Sequence, residues 1–293
     1  MLKVIQRDKV IYSFNQDNVA AAKVKSGESF ILKTYDCFSG QLKSEDDAIA
    51  EMNWDHINPA TGPVYIDGAE KGDILKVEIE DIELESPAVM IAAPDEGVLG
   101  HLIEESVTKI LPLKDNKVIF SDKHRFDLKP MVGVIGVAPE TGQDISTGTP
   151  GEHGGNMDCK LLGPGASVYF KVQTEGALLA AGDMHALMGD GEIVVCAAEA
   201  GGMIKLKTRI LKNKNIPVPF IEKEKLISTV ASAETLDEAV EMATEKMSNY
   251  LVDHYDYDIT EAGMIMSLIG DAEICQVVDP LKTARFTINK DKL

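Results

Sequence analysis

The feature that most restricts how this chain can fold is its period. Over most of the first 225 residues, apolar side chains alternate with polar ones in short segments cut by glycine, and long 3.6-residue repeats are scarce. A mainly β fold follows. Val168, Phe170 and Val172 alternate with Tyr169, Lys171 and Gln173, and Ile204, Leu206, Thr208 and Ile210 alternate with Lys205, Lys207 and Arg209, as in strands with one wet face. In Leu75, Val77 and Ile79, then Ile82 and Leu84, the apolar positions change parity, which predicts a bulge or a change of buried face. Segments 131–138 and 193–198 are almost continuously apolar and are expected as central strands covered on both faces.

Beyond residue 230 the period changes. Thr235 and Glu238 form a capping-box pattern, and Leu236, Val240, Ala243, Met247, Tyr250 and Leu251 recur at three and four, so a helix is expected over 235–252. A second helix is expected after Thr260, through Met264, Ile265 and Leu268 to Gly270, with a closing strand over 274–278. Pro217 and Pro219, followed by the charged run 222–225, mark the junction. The expected division is an N-terminal β domain (1–120), a central β domain carrying most of the polar site (121–225), and an α/β element packing on the β core (226–293).

Composition narrows the function. With 293 residues at 44% hydrophobic, the chain can bury roughly three quarters of its unfolded surface, which excludes a disordered or disulfide-stapled protein. Twenty-nine Lys and Arg against 48 Asp and Glu leave a net charge of −19, a field that repels phosphate backbones and anionic lipid. Nucleic acid and membrane surfaces are therefore not expected as partners, whereas a cation site is open. Lys3, Arg7, Asp8 and Lys9 interrupt the apolar run that a signal peptide needs, and no segment approaches the roughly 18 apolar residues of a membrane span, so a cytoplasmic protein is expected. Cys37, Cys159, Cys196 and Cys275 lie far apart without a Cys-x-x-Cys pair, and reduced thiols are expected.

Two segments concentrate chemistry. Residues 148–158 read GTPGEHGGNMD, with four glycines around His153, Asn156 and Asp158, a backbone able to turn N–H groups into a concave space. Residues 181–192 read AGDMHALMGDGE, where strand spacing sends Asp183 and His185 to one face, and Asp190 and Glu192 likewise. Imidazole with carboxylate oxygens is the ligand set of a hydrolytic zinc or a related divalent ion, which lowers the pKa of bound water from about 15.7 to about 7. No fixed-spacing metal motif is matched. Gly189, Asp190 and Gly191 also fit a tight hairpin, and Asp183 after Gly182 fits a turn. His56, His124 and His254 read as structural, in a turn, a charged loop and a helix end; His101 stays open between the two readings.

The blocks NPATGPVYIDGAEKGD (58–73), MVGVIGVAPE (131–140), TPGEHGGNMD (149–158) and GALLAAGDMHALMGDGE (176–192), in that order, resemble the acetamidase/formamidase family of amide hydrolases, over a stretch from Asp36 to about Arg209. The resemblance implies hydrolysis of a short, neutral aliphatic amide, formamide or acetamide, to the carboxylic acid and ammonia. It also implies a β-sandwich or barrel-like core with a smaller C-terminal α/β element, and a homo-oligomer, dimer or larger. The family's blocks fall on His153, Gly154, Gly155, Asn156 and Asp158, on Gly182, Asp183, His185 and Ala186, on 189–192, and on Asp36. Two departures, Leu128-Lys129 before Pro130-Met131 and Lys71 in place of proline, bear on substrate preference.

On this reading His153, Asp158, Asp183 and His185, with Asp36 as a further ligand, hold a divalent metal, zinc in the first place, with calcium as a structural ion. N–H groups of Gly154 and Gly155, with Asn156, would bind the carbonyl oxygen or the amide. Glu192, or failing that Glu140, would carry the proton from water to the departing nitrogen. A rival uses Cys159 as nucleophile with His153 or His185 as base, against which stands the charge of Asp158, expected to raise the thiol pKa. The other class is a non-catalytic β protein that binds a small molecule or a cation.

Overall fold

The computed structural model describes residues 2–47 and 49–293. Its framework is two nine-stranded sheets. The first runs Lys3–Ile5, Ser29–Thr34, Gly202–Leu211, Ile74–Leu84, Ala166–Lys171, Phe220–Lys223, Leu226–Ala233, Lys282–Asn289, Gly270–Gln276, and so draws strands from all three expected segments. The second runs Gly154–Asn156, Met131–Gly136, Leu179–His185, Glu199–Ala200, Ala88–Ala92, Val107–Leu111, with Ala60–Asp67 paired to Leu179–His185. Phe30, Leu75, Val77 and Ile204 of the first sheet share one buried cluster with Val132, Ile135, Leu179 and Met184 of the second. The fold is therefore mainly β with a sandwich core, as expected, and its neighbouring strands pair antiparallel almost throughout.

The parity change over 75–84 is a bulge. Lys205 pairs with Asp81 and Leu206 with Ile79, so Glu80 is the extra residue. That one insertion keeps Leu75, Val77, Ile79 and Ile82 on the same buried face. Of the two apolar runs, Met131–Gly136 is a strand buried at every position and flanked on both sides. The run 193–198 is a correction: it forms no strand, Val195 has φ 83°, and Ile193 is 43% exposed. Only Cys196, Ala197 and Ala198 of the run are buried, so its apolar character marks partial cover of a loop and not a strand.

At the C-terminal end, Leu236–His254 is a helix whose Thr235 and Glu238 make both bonds of the capping box. Asp258 and Glu261 repeat that device for Ile259–Ile269, which Gly270 ends. The first helix buries Ala243, Met247 and Leu251 against Ile227, Phe286 and Ile288 of the first sheet. The strand after Gly270 starts earlier than expected, and Lys282–Asn289, unforeseen, pairs along its full length with Leu226–Ala233. Among the described residues, no helix is long and apolar enough to cross a membrane.

Candidate metal centre

The Leu179–His185 strand positions the site. All seven of its residues are buried, and its ladder with Met131–Gly136 runs from His185 opposite Met131 to Ala180 opposite Gly136. The pairing is interrupted opposite Gly133, where Asp183 has φ 53°. A Cβ at Gly133 would lie 2.5 Å from both Asp158 Oδ1 and Asp183 Oδ2, so only glycine leaves room for the two carboxylates. Asp158 and Glu192 also have positive φ, 41° and 52°. Non-glycine residues in that region cost about 1–3 kcal/mol each and gather at functional sites.

The predicted residues Asp158, Asp183, His185 and Glu192 meet, and Glu199 joins them. From His185 Nε2, Glu199 Oε2 is 3.3 Å away, Asp183 Oδ1 3.4 Å, Asp158 Oδ1 3.6 Å and Glu192 Oε1 4.0 Å. All five residues are buried. Within this cluster Asp158, His185 and Glu192 each offer a ligand atom within 4.8 Å of the others, and so do Cys37, Asp183 and Glu199. Both Asp158 oxygens, Asp183 Oδ1, Glu199 Oε2 and His185 Nδ1 have no hydrogen-bond partner among the described residues. Buried polar atoms left unpaired cost about 1–3 kcal/mol each, and more when charged. A divalent cation among these convergent oxygens, with His185 Nε2 as the nitrogen donor that faces them, would satisfy the carboxylates at once, so the residues fit a metal.

The electrostatics agree. Burial first, and neighbouring carboxylates after it, push Asp158, Glu192, Glu199 and Asp279 well above the usual carboxylate range. Burial alone would lower His185, but the charges of Asp183 and Asp158 outweigh it and leave the imidazole raised.

The other predicted residues sit around the cluster. Asn156 donates from Nδ2 to Asp279 Oδ2 at 3.0 Å, while its Oδ1 is buried without a partner among the described residues. Asp36 spends one carboxylate oxygen on the N–H groups of Phe38 and Gly40, and burial, followed at a distance by Asp183, raises its pKa. His153 stands apart from the acids that surround His185. Its ring lies edge-on to Phe14 at 5.1 Å, burial lowers it to about 4, and it lines a separate cavity of about 520 Å³ with Glu140. Glu140 is exposed and ion-paired with Lys71. Gly154 donates its N–H to the Gly151 carbonyl, so that donor is already engaged. Asp190 belongs to Arg285, whose buried guanidinium forks onto both its oxygens at 3.0 and 2.9 Å, and to Lys160.

Glu199 and Asp279 were not anticipated. A carboxylate inside the apolar stretch that ends at Ala200 was a usable signal, since a buried acid needs a partner. Asp279 carried none, because it comes from the turn between the last two strands, where Gln276 Oε1 accepts its N–H.

Cys159 departs from expectation. Its thiol is lowered to about 7, by a hydrogen bond with Cys275 first and by Arg285 as well, and is not raised by Asp158. The group is fully buried and faces away from solvent beside Cys275. Replacing Cys159 with Ala is expected to leave kcat for an amide substrate within about threefold of the parent, whereas a loss of about a thousandfold would transfer the reaction to a thioester.

The acetamidase/formamidase family profile matches residues 4–144 and 140–283, nearly the whole chain. An acetamidase of known structure from Bacillus halodurans is 44% identical and superposes with a TM-score of 0.96, covering 97% of this chain and 96% of its own. A Schizosaccharomyces pombe relative is 30% identical over 256 residues, covering 66% of this chain and 62% of its own length. The formamidase of Methylophilus methylotrophus is 24% identical over 252 residues, with 66% and 61% covered. The chain thus spans about three fifths of the length of these two relatives. The glycine-rich blocks that carry the family resemblance are those that bring Asp158, Asp183 and His185 together, and the chain belongs to the acetamidase/formamidase family.

Proposed function

We propose that the protein hydrolyses a short linear amide, formamide or acetamide, to the carboxylic acid and ammonia, with water as the attacking group. The observation that carries the reading is the convergence of unpaired buried oxygens on the His185 imidazole. The names of the similar acetamidase and formamidase supply the substrate class. Asp158, Asp183, His185 and Glu199 would hold a divalent ion, and a donor set that includes imidazole favours zinc over calcium. Such an ion would supply polarisation of the carbonyl and acidification of water at neutral pH.

The chain's own residues do the rest. Glu192, at the edge of the cluster 4.0 Å from His185 Nε2 and raised by burial, passes a proton from water to the departing nitrogen. Asn156 Oδ1, unpaired, accepts an N–H of the amide and fixes its orientation, while Asp279 holds the other end of the Asn156 side chain. His153, neutral and outside the cluster, lies beside Gly155, where an added Cβ would reach 3.0 Å from its Nε2. A homo-oligomeric, cytoplasmic protein completes the reading, the location supported by four free and buried cysteines. The test is ammonia release by the zinc-replete chain from formamide, acetamide, propionamide and urea. Release from the short amides is expected; release from none of the four would leave a non-catalytic cation-binding protein.

A further inference from the structure

The loop that follows the Leu179–His185 strand has two working sides. Glu192 and, at its end, Glu199 turn towards His185. Met188, Ile193 and Ala198 line the near wall of a cavity of about 320 Å³, which Glu192 also borders. The far wall comes from the three-stranded sheet Leu113–Lys114, Lys117–Ile119 and Arg125–Asp127, through Val118 and Phe126. The cavity is lined mostly by apolar side chains. Of the two carboxylates that line it among the described residues, Asp190 is neutralised by Arg285 and Lys160, which leaves Glu192 chemically available.

Size and exposure both ask for an occupant larger than acetamide. A cavity of about 320 Å³ lies at the lower end of the range for small-molecule pockets, about 300–1,000 Å³. A single methyl group would leave most of it unfilled. Phe126 and Ile193 remain 45% and 43% exposed at its edges, apolar surface whose contact with water an alkyl chain would remove.

We infer that the site accepts linear amides carrying an unbranched acyl chain of about four to six carbons, with the carboxamide at Glu192 and the chain lying between Met188, Ile193 and Phe126. The inference rests on the amide-hydrolase reading given above and extends its substrate class. The driving force is burial of methylene groups in the transition state as well as in the bound substrate.

The experiment measures kcat/KM of the zinc-replete full chain for acetamide, butyramide and hexanamide, and repeats it with Phe126→Ala. The expected result is a rise of about fourfold for each added methylene, together with a fall of about fivefold in the hexanamide-to-acetamide ratio for the variant. Because the ratio is taken within one preparation, partial loss of folded protein cancels. Acetamide turnover with a flat or falling chain-length series overturns the inference and leaves the amide reading intact. A rising series with an unchanged ratio in Phe126→Ala overturns the assignment of the chain to this cavity. No turnover of any of the three overturns the inference, and no turnover of formamide besides overturns the amide reading as well.

Discussion

Stripping the protein of divalent ions with a chelator is expected to abolish amide hydrolysis and to lower its thermal midpoint, increasingly so at higher pH. Asp158, Glu192 and Glu199 are buried close together with half-buried Asp279 beside them, and burial raises each of the four above the usual carboxylate range. An acid whose folded pKa exceeds its unfolded value binds more protons in the folded state, so the stripped protein loses stability as pH rises from about 4 upwards through the folded values. His185, raised by Asp183 and Asp158, acts in the same direction from about 6.5 upwards. An ion present at a thousand times its dissociation constant offsets this by about 4 kcal/mol, on the order of a 10 °C difference in midpoint for a chain of this size. Calorimetry at pH 5 and pH 8, with and without zinc, reads the effect. Full activity in a preparation shown by elemental analysis to lack metal would sink the metal reading, and equal midpoints at the two pH values would sink the account of the buried acids.

Gly133→Ala is expected to cost about a hundredfold in kcat/KM while leaving the fold in place. The new methyl group would meet Asp158 Oδ1 and Asp183 Oδ2 at 2.5 Å, and the Asp183 carbonyl at 3.0 Å. Asp183 cannot retreat easily, because its φ of 53° is held by the ladder on either side. Displacing two ligand carboxylates by even 1 Å misplaces the reacting groups, for which a loss of about a hundredfold in kcat/KM is ordinary. Overpacking itself costs only about 1–3 kcal/mol, so the fold should persist. The measurement pairs kcat/KM with zinc stoichiometry in a variant whose circular dichroism matches the parent. Retention of both values would mean that the two carboxylates do not act together.

The elements that were legible in the sequence are those specified by neighbours along the chain. Thr235 with Glu238 announced a helix because a capping box closes over four consecutive residues. The slip between Ile79 and Ile82 announced the bulge at Glu80, because side-chain direction alternates strictly along a strand. Asp158, Asp183, His185 and Glu192 stood out for the same local reason, as polar groups among glycines and small residues in two short segments. The run 193–198 misled because apolar residues also gather in a loop that is buried only at Cys196, Ala197 and Ala198. Asp190, one residue from Gly191 in the same segment, misled because its partner Arg285 lies 95 residues away.

What the sequence determined by itself was the β character, the helical tail, most of the acids and the histidine of the site, and through its blocks the family. The tertiary structure alone decided which acids share the His185 imidazole, for that depends on strand pairing between distant segments. It admitted Glu199, and it brought Asp279 from the last turn of the chain to Asn156. It also set His153 apart against Phe14 and placed an apolar cavity beside Glu192. The physical reason is that spacing along a chain fixes the face on which a side chain lies, whereas a metal site is defined by distances of a few ångströms between faces, and only packing sets those.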